Sequence, residues 1–101
     1  MAQWYAVAKV KDLKEGEGVM CPIQGRPVGL WKYQDRFYAL EDRCPHRGAL
    51  LSEGDCKNGI VTCPWHAWQF DLKDGHFLEN PEIKLKSYPV KVEGEDVFIQ
   101  I

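Results

Sequence analysis

The chain has 101 residues, of which 45% are hydrophobic and 28% charged, and its formal net charge is −2. This length suits one compact domain over 1–101 and excludes two independent cores, while the apolar content excludes a disordered chain. The weak negative charge, with Lys and Arg scattered, excludes a basic nucleic-acid surface.

No apolar run approaches the ~20 residues of a membrane span. The opening segment carries Lys9, Lys11, Asp12, Lys14, Glu15 and Glu17 in place of a secretory apolar stretch. A cytoplasmic, unanchored protein is expected.

Proline and glycine recur every eight to twelve residues, which favours many short strands. Trp4 to Val10 reads as a first strand and Lys11 to Gly16 as a single helical turn. Gly18 to Ile23 and Pro27 to Tyr33 read as strands joined at Gln24-Gly25-Arg26. Gln34-Asp35 forms a tight hairpin turn into Arg36–Leu40. Between Leu40 and Tyr88 the chain changes character: three cysteines, all three histidines and two tryptophans fall here. That stretch reads as a loop-rich insert, with Ala49 to Glu53 its best short helix. Tyr88–Val92 and Val97–Ile101 close the chain as a hairpin around Glu93-Gly94-Glu95-Asp96. Trp4, Trp31, Phe37 and Tyr38 read as core aromatics.

The chemistry lies in Cys44-Pro45-His46-Arg47-Gly48 and Cys63-Pro64-Trp65-His66, with 16 residues between His46 and Cys63. Each half supplies one thiolate and one imidazole, ligands suited to zinc or to an iron–sulfur cluster. Zinc fingers more often pair Cys with Cys and His with His, and a Cys-x-His half-site is uncommon among them.

The spacing Cys-x-His then Cys-x-x-His resembles the Rieske family. The flanks agree: Cys-Pro-His-Arg-Gly, Cys-Pro-x-His, Trp68-Gln69-Phe70-Asp71-Leu72, and the closing Tyr88-Pro89-Val90-Lys91-Val92. The resemblance implies an all-β fold of small antiparallel sheets. It also implies a loop-rich subdomain holding one 2Fe–2S cluster on loops at about 43–48 and 63–68. Cys44 and Cys63 would then ligate one iron, and His46 and His66 the other. Two neutral imidazoles in place of thiolates raise the potential, and titration of the imidazoles couples it to pH.

Respiratory members of the family clamp the two loops with a disulfide; the matching positions here are Ala49 and Trp65. Their cluster-facing serine and tyrosine hydroxyls are replaced by Trp68 and Phe70. A potential near the bottom of the Rieske range, about −150 mV, is expected. Cys21 and Cys56 match no ligand position and read as free, partly buried thiols. His76 reads as a surface histidine, and Glu53, Asp55, Asp71 and Asp74 as solvated loop charges. Trp68 is expected to shield the cluster; Trp65 is a candidate for an exposed contact with a partner, and Arg47 either steers an acidic partner or is simply solvated. Gly48 and Pro64 are expected to shape the loops.

The resemblance implies a non-catalytic, monomeric ferredoxin carrying electrons from a flavoprotein reductase to a terminal oxygenase. The alternative is a small subunit partnering a nitrite reductase large subunit. A catalytic oxygenase would need a further domain with mononuclear iron, and no glycine-rich dinucleotide fingerprint is present.

Overall fold

The computed structural model describes residues 3–45, 48–65 and 67–101. His46, Arg47 and His66 lie outside the described residues, so the expectations placed on them remain those of the sequence.

Alternating apolar residues and two-residue turns build the first half. The strands are β1 (Trp4–Lys9), β2 (Gly18–Ile23), β3 (Arg26–Tyr33) and β4 (Arg36–Glu41). The β2–β3 turn is Gln24-Gly25 only, one residue shorter than the expected Gln24-Gly25-Arg26, because Arg26 already pairs with Ile23. Gln24 and Gly25, like Gln34 and Asp35, have φ between 51° and 76°, as hairpin turns matching strand twist require. A short 3₁₀ turn at Val10–Asp12 stands where a turn over Lys11 to Gly16 was expected, and Glu15 instead bridges to Lys32.

The middle of the chain is more ordered than a loop-rich insert. It forms a five-stranded antiparallel sheet of β5 (Cys56–Lys57), β6 (Ile60–Thr62), β7 (Gln69–Asp71), β8 (His76–Phe77) and β9 (Asn80–Lys84). Asn58-Gly59 turns β5 into β6 with both residues at positive φ, a hairpin signal the sequence reading passed over.

The closing segment Tyr88–Val92 is two strands, not one. β10 (Ser87–Tyr88) pairs with β4, whereas β11 (Val90–Glu93) pairs with β12 (Asp96–Gln100) in the sheet ordered β1-β12-β11. The break falls at Pro89, which has no N–H to continue a ladder.

The middle sheet, ordered β10-β4-β3-β2, is covered on both faces. Val28, Leu30 and Ala39 point into a core shared with Val97 and Ile99. Trp31 and Leu40, one residue out of phase, point into a second core that contains Cys44 and Cys63. Side chains on Gly18 or Gly29 would meet the Trp31 ring at 2.3 Å, so both glycines are required for the indole to lie flat across the sheet. Trp4 does not join either core. It is 38% exposed, with the Lys91 ammonium 4.5 Å from its ring, because β1 is the edge strand of its sheet. Phe37 and Tyr38 are half-buried against the two cores.

Candidate metal centre

Two loops carry the predicted ligands, and their described backbones follow one plan. In the first, the Cys44 N–H donates to the Ala49 carbonyl (2.8 Å) and the Gly48 N–H returns to the Cys44 carbonyl (2.7 Å). In the second, the Cys63 N–H donates to the Trp68 carbonyl (2.8 Å) and the Ala67 N–H returns to the Cys63 carbonyl (3.1 Å). Each cysteine thus opens a six-residue loop closed on itself, with proline next. The fifth residue is left-handed in both, Gly48 at φ 76° and Ala67 at φ 60°. A Cβ on Gly48 would meet nothing within 4 Å, so glycine is there for its backbone and not for space. Ala67 shows that the loop tolerates a Cβ, and the sequence reading passed over it.

Cys44 and Cys63 are 0% and 1% exposed and belong to one buried cluster with Ala49, Leu51, Val61 and Phe70. None of the four cysteines is in a disulfide, so no covalent bridge joins the two loops. Cys21 and Cys56 are more deeply buried than expected, and burial pushes both thiols above their ordinary pKa. Both lie outside the two loops, Cys21 in β2 and Cys56 in β5, although Cys56 packs in the same core as Cys44 and Cys63.

Behind the second loop, Trp68 stacks on Phe77 with ring centroids 4.3 Å apart and an interplanar angle of 14°. Phe70 packs on the same Phe77 ring at 5.5 Å. The half-buried Trp68 therefore packs against the core behind the loop. Trp65, in contrast, is 64% exposed. It lines an open depression beside Cys63 together with Glu53 and Asp55.

His76 is half-buried and structural: its Nδ1 lies 2.6 Å from an Asp74 carboxylate oxygen, which also accepts the His76 N–H. These bonds hold the Asp74 carboxyl below its ordinary range. Asp71 completes a group of three potential ligand side chains. Asp71 Oδ1 accepts the Lys73 N–H at 2.8 Å and caps its own turn, so neither acid is merely a solvated charge.

The residue missed outright is Asp42, fully buried two positions before Cys44. Its carboxylate accepts the Ser52 N–H (2.7 Å) and the Ser52 hydroxyl (2.5 Å), and the Leu51 N–H adds a third bond. Burial pushes this carboxyl up more than those hydrogen bonds draw it down.

A profile described as Rieske [2Fe-2S] domain matches residues 3–89. The chain belongs to the Rieske family. Its cofactor is a 2Fe–2S cluster, and the donor chemistry agrees: two buried thiols in matched loops, each loop supplying one histidine in its sequence. The 3-phenylpropionate/cinnamic acid dioxygenase ferredoxin subunit of Escherichia coli (strain K12) is 43% identical over 95 residues, covering 91% of this chain and 88% of that protein. The ferredoxin in a complex of reduced oxygenase and oxidized ferredoxin of carbazole 1,9a-dioxygenase superposes with a TM-score of 0.87 at 30% identity, covering 95% and 91% of the two chains. A chain assigned as the small subunit of an NADH-dependent nitrite reductase of Mycobacterium tuberculosis superposes with a TM-score of 0.90 at 25% identity, covering 100% and 96%.

Proposed function

We propose that this protein is a low-potential Rieske ferredoxin, a single domain that carries one electron at a time from a reductase to a terminal oxygenase. In this reading Cys44 and Cys63 bind one iron, His46 and His66 bind the other, and the protein itself catalyses nothing. The observation that carries it is the pair of matched cysteine loops, each burying its thiol while Trp65 stands exposed beside Cys63. When bound, the cluster supplies a one-electron store that changes charge without breaking bonds.

The protein's own part is to hold and insulate. Cys44 and Cys63 are anchored at the bases of the loops by their own N–H groups, so the sulfurs sit on fixed backbone. Leu51, Val61, Phe70 and Phe77 keep water from the core side. Trp65 offers an aromatic face at the loop tip, where a partner can dock. Contacts of this kind are small, below about 1,200 Å², and short-lived. No hydroxyl is available from Trp68 or Phe70 to stabilise added electron density, which keeps the potential at about −150 mV.

Support for the oxygenase branch comes from the ferredoxin subunit at 43% identity, against 25% for the nitrite reductase chain. In this reading the carrier works as a monomer in the cytoplasm. Among the described residues no helix is long and apolar enough to cross a membrane. The test is reoxidation of the chemically reduced protein by purified partners. Rapid reoxidation by an oxygenase component of an aromatic-acid dioxygenase, with none by a sirohaem nitrite reductase large subunit, is the expected result. The reverse preference would overturn the oxygenase assignment.

A further inference from the structure

The two loops lack a covalent tie, yet the segment between them is held at both ends. Asp42 leaves β4 just before Cys44, and its carboxylate takes up both the N–H and the hydroxyl of Ser52, on the 3₁₀ turn Leu51–Glu53 that follows the first loop. Its own N–H donates to the Pro27 carbonyl (3.0 Å), fixing it to the β2–β3 hairpin. Two residues beyond that turn, the Asp55 carbonyl accepts the Thr62 N–H (2.9 Å), immediately before Cys63. Gly54 lies so close to this strand end that a Cβ would fall 1.9 Å from the Thr62 carbonyl oxygen and 3.1 Å from Pro64 Cδ.

Backbone and side chain thus run without a gap from Asp42, through Ser52, Gly54 and Asp55, to Thr62 and the second loop. Asp42 is the only buried charged side chain among the described residues. A buried carboxylate is costly unless its hydrogen bonds are met, and here three donors from one turn meet them.

We propose that Asp42 and Ser52 are positioning residues that tie the two cluster loops together, a non-covalent replacement for an inter-loop disulfide. The tie acts through the 51–55 segment: Asp42 fixes the turn against the base of the first loop, and the turn fixes Thr62 and Cys63. This rests on the reading of Cys44 and Cys63 as cluster ligands.

The experiment compares holoprotein carrying Ser52→Ala, Ser52→Thr or Asp42→Asn with the parent. Two quantities are read: the rate at which a chelator strips the cluster, followed by visible absorbance, and amide exchange by NMR. Ser52→Ala is expected to speed cluster release about tenfold, the effect of losing one hydrogen bond to a charged group. Exchange at Cys44, Gly48 and Thr62 should quicken with it, while amides paired between β1 and β12 keep their rates. Ser52→Thr, which retains the hydroxyl, should restore both within about twofold. Should Asp42→Asn fail to fold, the two serine variants decide the matter.

Unchanged release and loop exchange in Ser52→Ala would overturn the proposal. So would equal acceleration in β1 and β12, which marks a loss of global stability only. A parent protein without iron and sulfide would instead defeat the ligand reading, and the contrast in exchange between loop and β1–β12 amides would still score the tie.

Discussion

Phe77→Ala removes the ring that Trp68 and Phe70 share. Phe77 is 7% exposed, so the substitution empties a nearly closed site, and Phe→Ala at such sites costs about 3–5 kcal/mol. The shallow depression formed by Ala67, Trp68, Gln69, Phe77, Leu78 and Glu79 lies open beside it. Trp68 can therefore settle inward, which places the expected cost at about 3 kcal/mol. For a domain of this size each kcal/mol lowers the melting point by about 4–8 °C, so a fall of roughly 12–24 °C is expected by circular dichroism.

Because the Trp68 carbonyl receives the Cys63 N–H, the visible absorbance of the cluster should disappear in step with the fold or before it. Phe77→Leu keeps most of the volume and should cost about half as much. A fall below about 4 °C for Phe77→Ala, or a cluster that outlasts the β-sheet signal, would refute the claim that this stack supports the second loop.

Cys44→Ser or Cys63→Ser should yield protein with little or no bound iron by colorimetric assay, whereas Cys21→Ser should keep its full complement. Trp65→Ala should slow reduction of the oxygenase partner by stopped flow while leaving the melting point within about 1 °C, since an exposed side chain away from a core carries little stability. Burial raises the Cys21 and Cys56 thiols above 9.0, so the unfolded chain releases these protons first; stability should be intact below about pH 9 and decline as pH climbs beyond it, a decline that chemical denaturation should find reduced in Cys21→Ala. The Asp74 carboxyl is shifted the other way, so its contribution should persist above pH 3.8 and be lost as pH falls through its lower folded value; Asp74→Asn should flatten that acid limb.

Period-2 patterns and turn residues carried most of the framework in the sequence. The hairpins at Gln34-Asp35 and Glu93–Asp96 stand where they were expected, since both the turn and the flanking strands are local. The break at Pro89 was not legible, and Tyr88–Val92 reads as one strand, because which sheet each side joins depends on contacts far along the chain. The β5–β9 sheet was obscured by strands of two to five residues, too short for alternation to register. Trp4 was assigned to the core on its chemistry, and only the sheet order shows that it lies on an edge.

At the site, Cys-x-His and Cys-x-x-His named the ligand candidates directly, because ligands must sit close in sequence to share a loop. Asp42 carried no such signal. One acidic residue before a cysteine is ordinary, and its meaning comes from Ser52, ten positions away, folding back upon it. Ala67 was silent for a similar reason: its left-handed backbone follows from the loop's hydrogen bonds and not from its side chain.

The central claim is most directly tested by metal and sulfide analysis of anaerobically purified protein, joined to electron paramagnetic resonance after reduction. Two irons and two acid-labile sulfides per chain, with the signal of a reduced mixed-ligand cluster, are the predicted result. Zinc in their place, or a protein free of iron and sulfide, would contradict it.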